Sequence, residues 1–362
     1  MRLLIDAHLD LAWNALSFNR DQTLSVQEVN RRESHMTDLR CRGHATTTLP
    51  ELRRARVAVC VATLLARGGP DQQSKVTHHR TDLDFATASI AYAMAQGQLA
   101  YYRLLEQQGL VRMISTAGQL DAHWERWQAD PEGQEPIGII LSMEGADPIV
   151  HPGQLQQYWD QGLRAVGPAH YGQSHYAYGT GVSGPLSLQG IELLREMERL
   201  GVILDVTHLC DESMGQALEL FPGPVLASHH NCRALVPGDR QLTDPQIRLL
   251  IQRDAVIGAA LDAWMLRPGW IRGQSTPEGL TLAAVADHTD HICQLAGNTR
   301  HVAIGTDLDG GFGTEQTVSD LETIADVHKL ETLYQARGYS DSDIDAIFHA
   351  NWLRLFRRAL PD

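Results

Sequence analysis

The chain has 362 residues, 43% of them hydrophobic and 20% charged, with a formal net charge of −14. Such a length holds one large α/β barrel or two ordinary domains, and the acidity argues against nucleic acid as a main partner. Five cysteines (Cys41, Cys60, Cys210, Cys232, Cys293) without CxxC spacing argue against a disulfide framework and for a reducing compartment.

In chain order, eight short apolar, β-branched runs stand out: Leu3–Ile5, Val57–Leu65, Ile137–Ser142, Ala165–Pro168, Val202–Val206, Val225–Ala227, Ala255–Leu261 and Val302–Gly305. They are continuous rather than alternating, which suits strands buried on both faces of a parallel sheet. Helical patterns lie between them: Leu83–Gln107, Leu188–Leu200 with Gly201 as its stop, Asp211–Leu220, Asp244–Arg253, Thr281–Ala296 and Val318–Arg337. A last helix over Asp341–Leu360 carries Ile344, Ile347, Phe348, Trp352, Leu355 and Phe356 on one stripe. This alternation predicts a single (β/α)₈ TIM-type barrel over residues 1–362, with a doubly wound sheet as the alternative. The polar stretch Asp21–Thr48 reads as an insertion after the first strand, in part helical. Arg67–His79 reads as a loop after the second, and both belong on the catalytic face. The N-terminus enters a strand without an apolar signal segment, and no apolar run reaches the roughly 18 residues of a membrane span. Arg357-Arg-Ala-Leu-Pro-Asp362 is no lipid-anchor tail, so no membrane association and a cytoplasmic location are expected.

The carboxyl ends of barrel strands carry function. Here they hold His8 and Asp10, then Glu144, His170, His208, His229 with His230, and Asp307 with Asp309. His8 and Asp10, two residues apart, share one side of a strand. Imidazoles and carboxylates together suit zinc and similar ions. The set is too large for one four-coordinate ion, whereas a carboxylate can bridge two ions about 3.5–4 Å apart. Glu144 is the natural bridge. His8 and Asp10 then hold one ion, and His208 and His229 the other. A water or hydroxide is shared between the ions, and Asp307 orients it and carries its proton to the leaving group. Neighbours on a strand face opposite ways, so only one of His229 and His230 is expected in the site. Any one of these histidines or carboxylates could be an ordinary polar cap. Their joint fall on strand ends is what carries the argument.

In this order and spacing the chain resembles the membrane (renal) dipeptidase family of zinc metallopeptidases. The matching pieces are His8-Leu-Asp10, Glu144-Gly145, Leu204-Asp-Val-Thr-His208, Ser228-His229-His230, Gly305-Thr-Asp-Leu-Asp-Gly310 and Asn351-Trp-Leu-Arg-Leu-Phe356. The resemblance implies a (β/α)₈ barrel with two Zn²⁺ ions bridged by Glu144, hydrolysing dipeptides, with C-terminal D-residues in view as well as L-residues. It implies that His170 contacts the scissile group and its oxyanion. It implies that Arg240 holds the substrate's C-terminal carboxylate, for which a guanidinium fork is suited. A homodimer is expected on the same ground. The chain departs from the family at His230, where a small residue is usual. It departs again at Asp262, Trp264, Met265 and Arg267, which are expected to reshape the substrate pocket. Two other readings stay open. One is an amidohydrolase-type N-acyl amino acid deacylase or lactonase, although such enzymes open with His-x-His and bridge through a modified lysine. The other is a barrel that binds without catalysing.

Overall fold

A computed structural model describes residues 1–69 and 82–362. The loop expected over Arg67–His79 lies, from residue 70 onward, outside the described residues. Strand β1 (Leu4–Leu9) pairs in parallel with β2 (Val57–Leu65). A short β3 (Val111–Met113) precedes β4 (Ile137–Glu144), which pairs with β2 on one side. On its other side β4 takes β3 along Ile137–Ile139 and β5 (Leu163–Gly167) along Leu141–Glu144. Parallel pairing continues through β6 (Ile203–Asp205) to β7 (Val225–Leu226). A bridge between Ala227 and Ile257 then leads to β8 (Ile257–Ala259), which pairs with β9 (Val302–Ile304). Most strand residues are fully buried, which is why the runs are apolar throughout rather than alternating.

The ring closes from β9 to β1 through side chains. Asp6 accepts hydrogen bonds from the backbone N–H and the hydroxyl of Thr306, at 2.9 and 2.6 Å. The carbonyls of β9 are taken up by the last helix: Asn351 Nδ2 donates to Val302 O at 2.9 Å and Trp352 Nε1 to Ile304 O at 2.8 Å. The result is the expected (β/α)₈ barrel, formed by β1, β2 and β4–β9, with β3 as a short flank that the sequence reading lacked.

Several helices differ from expectation at their ends. The helix expected over Leu83–Gln107 starts at Ala88, where the Thr87 side chain caps it. Val318–Arg337 is a 3₁₀ turn (Ile324–His328) followed by a helix (Lys329–Ala336). Ser319 and Asp320 instead bond to Leu280 and Leu282, which holds that stretch out of helical geometry. The last helix is interrupted by a π-turn at Ala346–Ala350.

The insertion holds one helix, Val26–Glu33. It is tied down by buried charge: Arg20 forms a two-pronged pair with Glu33 at 2.9 Å, and Arg42 joins Glu33 at 2.8 Å. Asp309 completes the anchor, accepting from Thr46 N, Thr46 Oγ1 and Thr47 N at 2.7–3.1 Å. Among the described residues, no helix is long and apolar enough to cross a membrane.

A candidate metal centre at the strand ends

Backbone chemistry decides how each side chain reaches the centre. Glu144 ends β4, and Gly145 follows at φ +81, a left-handed conformation that glycine adopts without penalty. A Cβ at Gly145 would also stand 3.2 Å from His170 Cβ, so the glycine lets the two ligand-bearing turns approach. His208 and Asp307 are themselves in left-handed conformation, at φ 69 and 59, which costs a non-glycine residue energy and is typical of functional turns. At Gly310 a Cβ would lie 2.0 Å from Asp307 Oδ1. Gly258 and Gly305 let β8 and β9 pass within contact of the Ser228 carbonyl, just below His229.

The side chains converge on one oxygen. Glu144 Oε1 lies 3.0 Å from His208 Nε2, 3.4 Å from His229 Nε2, 3.5 Å from His8 Nε2 and 3.7 Å from His170 Nε2. His8 Nε2 is in turn 3.8 Å from Asp10 Oδ1 and 3.7 Å from Asp307 Oδ1. Three overlapping sets offer ligand atoms within 4.8 Å of one another: His8, Glu144 and His229; Glu144, His170 and His208; His8, Asp10 and Asp307. A further layer fixes the ligands. Thr180 Oγ1 meets His208 Nδ1 at 3.1 Å and Ser228 Oγ meets His229 Nδ1 at 2.9 Å, leaving both Nε2 atoms toward Glu144. Thr63 donates to Asp10.

Electrostatically the centre is incomplete without a cation. Burial pushes His208 and His229 well below the ordinary histidine range, with Arg240 and His8 respectively adding to the effect. Both are therefore neutral, as ligands must be. Burial also raises Glu144 and Asp307, each only partly offset by His8. Both ring nitrogens of His8 are buried without a hydrogen-bond partner, a cost that a metal bond would remove. Nitrogen and carboxylate donors in this mixture fit zinc-like divalent ions.

The structure places every sequence-predicted ligand at this centre: His8, Asp10, Glu144, His208 and His229, with His170 and Asp307 beside them. His230 is buried next to the cluster but joins none of the three sets. Asp309, two residues from Asp307, turns away to the insertion. Arg240 is 1% exposed, and its Nη2 donates to His229 O at 3.1 Å. Its Nη1 is buried without a partner, and no carboxylate lies within ion-pairing distance among the described residues.

Above the centre opens a cavity of about 400 Å³, the size range of small-molecule sites. Asp10, Glu144, His170, His208 and Asp307 reach it from below. Trp13, Leu65 and Leu83, from the β1 and β2 ends, also line it, as do Asp262, Trp264, Trp270 and Gln316, which follow β8 and β9. Of the four residues expected to reshape the pocket, Asp262 and Trp264 do line it. Met265 is 1% exposed and lies outside the lining. Arg267 points away, donating to Thr276 O and Glu278 O. Tyr171, Arg272 and Gln316 line the cavity without having stood out in the sequence, because none sits in a motif.

A sequence profile described as membrane dipeptidase (peptidase family M19) matches residues 2–360. Among curated proteins, Dipeptidase 3 of Macaca fascicularis is 25% identical over 329 residues, 86% of this chain and 63% of that one. A dipeptidase of Clonostachys rogersoniana is 29% identical over 236 residues, 64% of this chain and 57% of that one. The alignments thus span between half and two thirds of these relatives. A metallopeptidase structure from Rhodobacter sphaeroides, liganded with a phosphinate mimic of L-Ala-D-Ala, superposes with a TM-score of 0.77 at 21% identity. It covers 99% of both chains, which shows a shared fold.

Proposed function

Because the chain belongs to the membrane dipeptidase family of metallopeptidases, we propose that it hydrolyses the peptide bond of free dipeptides at the centre built around Glu144. The observation that carries this reading is the convergence of His8, His208 and His229 on Glu144 Oε1, each from a different strand. His8 and Asp10 would hold one zinc ion and His208 and His229 a second, with the Glu144 carboxylate shared between them. Bound there, divalent ions polarise a carbonyl and acidify a water to near neutrality.

The protein's own residues supply the rest. Asp307 takes the proton from the attacking water and delivers it to the leaving amine. His170 faces the scissile carbonyl and donates to the oxygen as charge develops on it. Arg240, buried and without a carboxylate partner, receives the substrate's C-terminal carboxylate. An arginine held at a fixed distance from the centre measures the substrate and selects dipeptides over longer chains.

The reading includes cytoplasmic function, supported by five free cysteines, and a homodimer, which sedimentation velocity measures. The deciding experiment is hydrolysis of an L-L and L-D dipeptide panel by zinc-loaded protein, with C-terminal dipeptide amides and N-acyl amino acids included. Cleavage of free dipeptides but not of their amides is expected. Cleavage of N-acyl amino acids alone would replace the dipeptidase reading with deacylation.

A further inference from the structure

Two buried charges of opposite sign lie near one another, Asp262 in the cavity lining and Arg240 behind it, and neither has an ionic partner among the described residues. One is Arg240, in the loop after β7. The other is Asp262, in the turn after β8, 7% exposed and lining the cavity. Gln316 Nε2 donates to both Asp262 oxygens, at 2.9 and 3.1 Å, and Trp264 N–H donates to Oδ1 at 3.3 Å. A carboxylate has about four lone-pair sites, so capacity remains on the cavity side. No lysine, arginine or histidine lies within ion-pairing distance of it among the described residues. Burial pushes its carboxyl up to about 6, with Gln316, Arg272 and Arg240 acting the other way. An ionised group in such a place is costly unless a ligand supplies the counter-charge.

The barrel order fixes which part of a dipeptide would meet it. β7 and β8 are neighbours, so a substrate whose α-carboxylate rests on Arg240 places the side chain of that same residue beside Asp262. The N-terminal residue is left to the rest of the lining, where Trp13, Leu65 and Leu83 are apolar. Arg67, also in the lining, is already neutralised by Asp84, its Nε donating to Oδ1 at 2.6 Å. We propose that Asp262 is the counter-ion of a subsite for a cationic side chain, lysine or arginine, on the C-terminal residue of the dipeptide. Trp264 and Trp270, on the same wall, offer ring faces that attract a cation. Arg272 and Arg240 are the opposing charges nearby, and Arg240 is occupied by the substrate carboxylate in this pose. Arg272 lies in the cavity lining. It is exposed at the rim, donates to Gly311 O at 2.7 Å, and is screened by solvent.

This inference rests on the dipeptidase reading and is tested apart from it. The measurement is kcat and KM of zinc-loaded protein on Ala-Lys, Ala-Arg, Ala-Leu, Ala-Glu and Ala-Lys acetylated at Nζ. A charge-assisted bond of ordinary strength makes Ala-Lys and Ala-Arg about tenfold to a hundredfold better than Ala-Leu in kcat/KM, mainly through KM. Acetylation, which removes the charge from an otherwise similar side chain, abolishes the advantage. Asp262→Asn, which keeps the shape and a bond to Gln316, brings the Ala-Lys to Ala-Leu ratio near one. Turnover of Ala-Leu or Ala-Glu equal to or better than Ala-Lys would overturn the subsite alone. So would an Asp262→Asn variant slowed alike on every substrate, or an acetylated peptide as good as Ala-Lys. No turnover of any dipeptide would sink the dipeptidase reading and this inference with it.

Discussion

Glu144 Oε1 and His208 Nε2 stand 3.0 Å apart, one at the end of β4 and the other in the left-handed turn after β6. A carboxylate that sits within 3.7 Å of four imidazoles serves more than one ion, or it serves none well. Glu144→Gln keeps the shape and removes the shared charge. It is expected to lower bound zinc from the proposed two ions per chain to one or fewer, and turnover by more than about a hundredfold. Metal analysis by mass spectrometry beside dipeptide kinetics checks this, and a variant with full zinc and full turnover would refute the bridging role.

Asp307 lies beside the ligands, its Oδ1 3.7 Å from His8 Nε2, and lines the cavity, where the proposed role makes it the proton carrier. Asp307→Asn should therefore retain most of the zinc and lose about 10²- to 10⁴-fold in kcat, the usual worth of a positioned acid–base group. If zinc and activity fall together in proportion, Asp307 is a ligand and not a proton carrier.

Asp309 performs a different task from its neighbour. Three donors from Thr46 and Thr47 and the nearby Arg20, at 3.7 Å, depend on its charge. Asp309→Asn turns an amide toward those donors, for an expected loss of about 2–4 kcal/mol. Urea unfolding should show the lower midpoint. Limited proteolysis should show faster cleavage within residues 21–48, and an unchanged cleavage pattern would disconnect Asp309 from the insertion.

His123, far from the metal centre, gives a pH dependence with a definite sign. Its ring is buried against β4, where Gly138 makes room: a Cβ there would be 2.6 Å from His123 Nε2. Burial lowers His123 from 6.5 to about 4. Above pH 6.5 both folded and unfolded states hold it neutral and its contribution to stability is complete. Between 6.5 and about 4 the unfolded chain binds a proton that the folded one refuses, so stability falls as pH falls. The span of about 2.5 pH units corresponds to at most about 3–4 kcal/mol. His123→Gln should flatten the pH slope of the unfolding free energy in that window by up to one proton, measured on metal-free protein. A slope equal to wild type would show that His123 does not titrate there.

The barrel was legible because its strands are buried on both faces, so β2 and β4 appear as unbroken apolar runs. β3 was not, since three residues around Arg112 leave no periodicity to read. The ligands were legible because a barrel collects them at strand ends, as with Glu144 before Gly145. What sequence could not supply is direction across space. Asp307 and Asp309 look equivalent in Gly305-Thr-Asp-Leu-Asp-Gly310, and only the fold shows one facing the cavity and the other the insertion. Likewise Arg267 and Arg272 lie in one loop, and only Arg272 lines the cavity. Gln316, which holds Asp262, comes from beyond the next strand and belongs to no motif.

The seam between Asp6 and Thr306 has a consequence for how the protein is made. The first strand carries His8 and the last leads into Asp307, so the centre draws on both ends of the ring. On the ribosome, β1 can pair with β2 soon after both emerge, but its other edge stays open until β9 has been synthesised. A nascent chain that stalls before residue 307 holds His8, Asp10, Glu144, His208 and His229 but lacks Asp307 and the seam that fixes β1 in the ring. The proposed hydrolysis therefore requires synthesis through Asp307, and shorter translation products are expected to be inert.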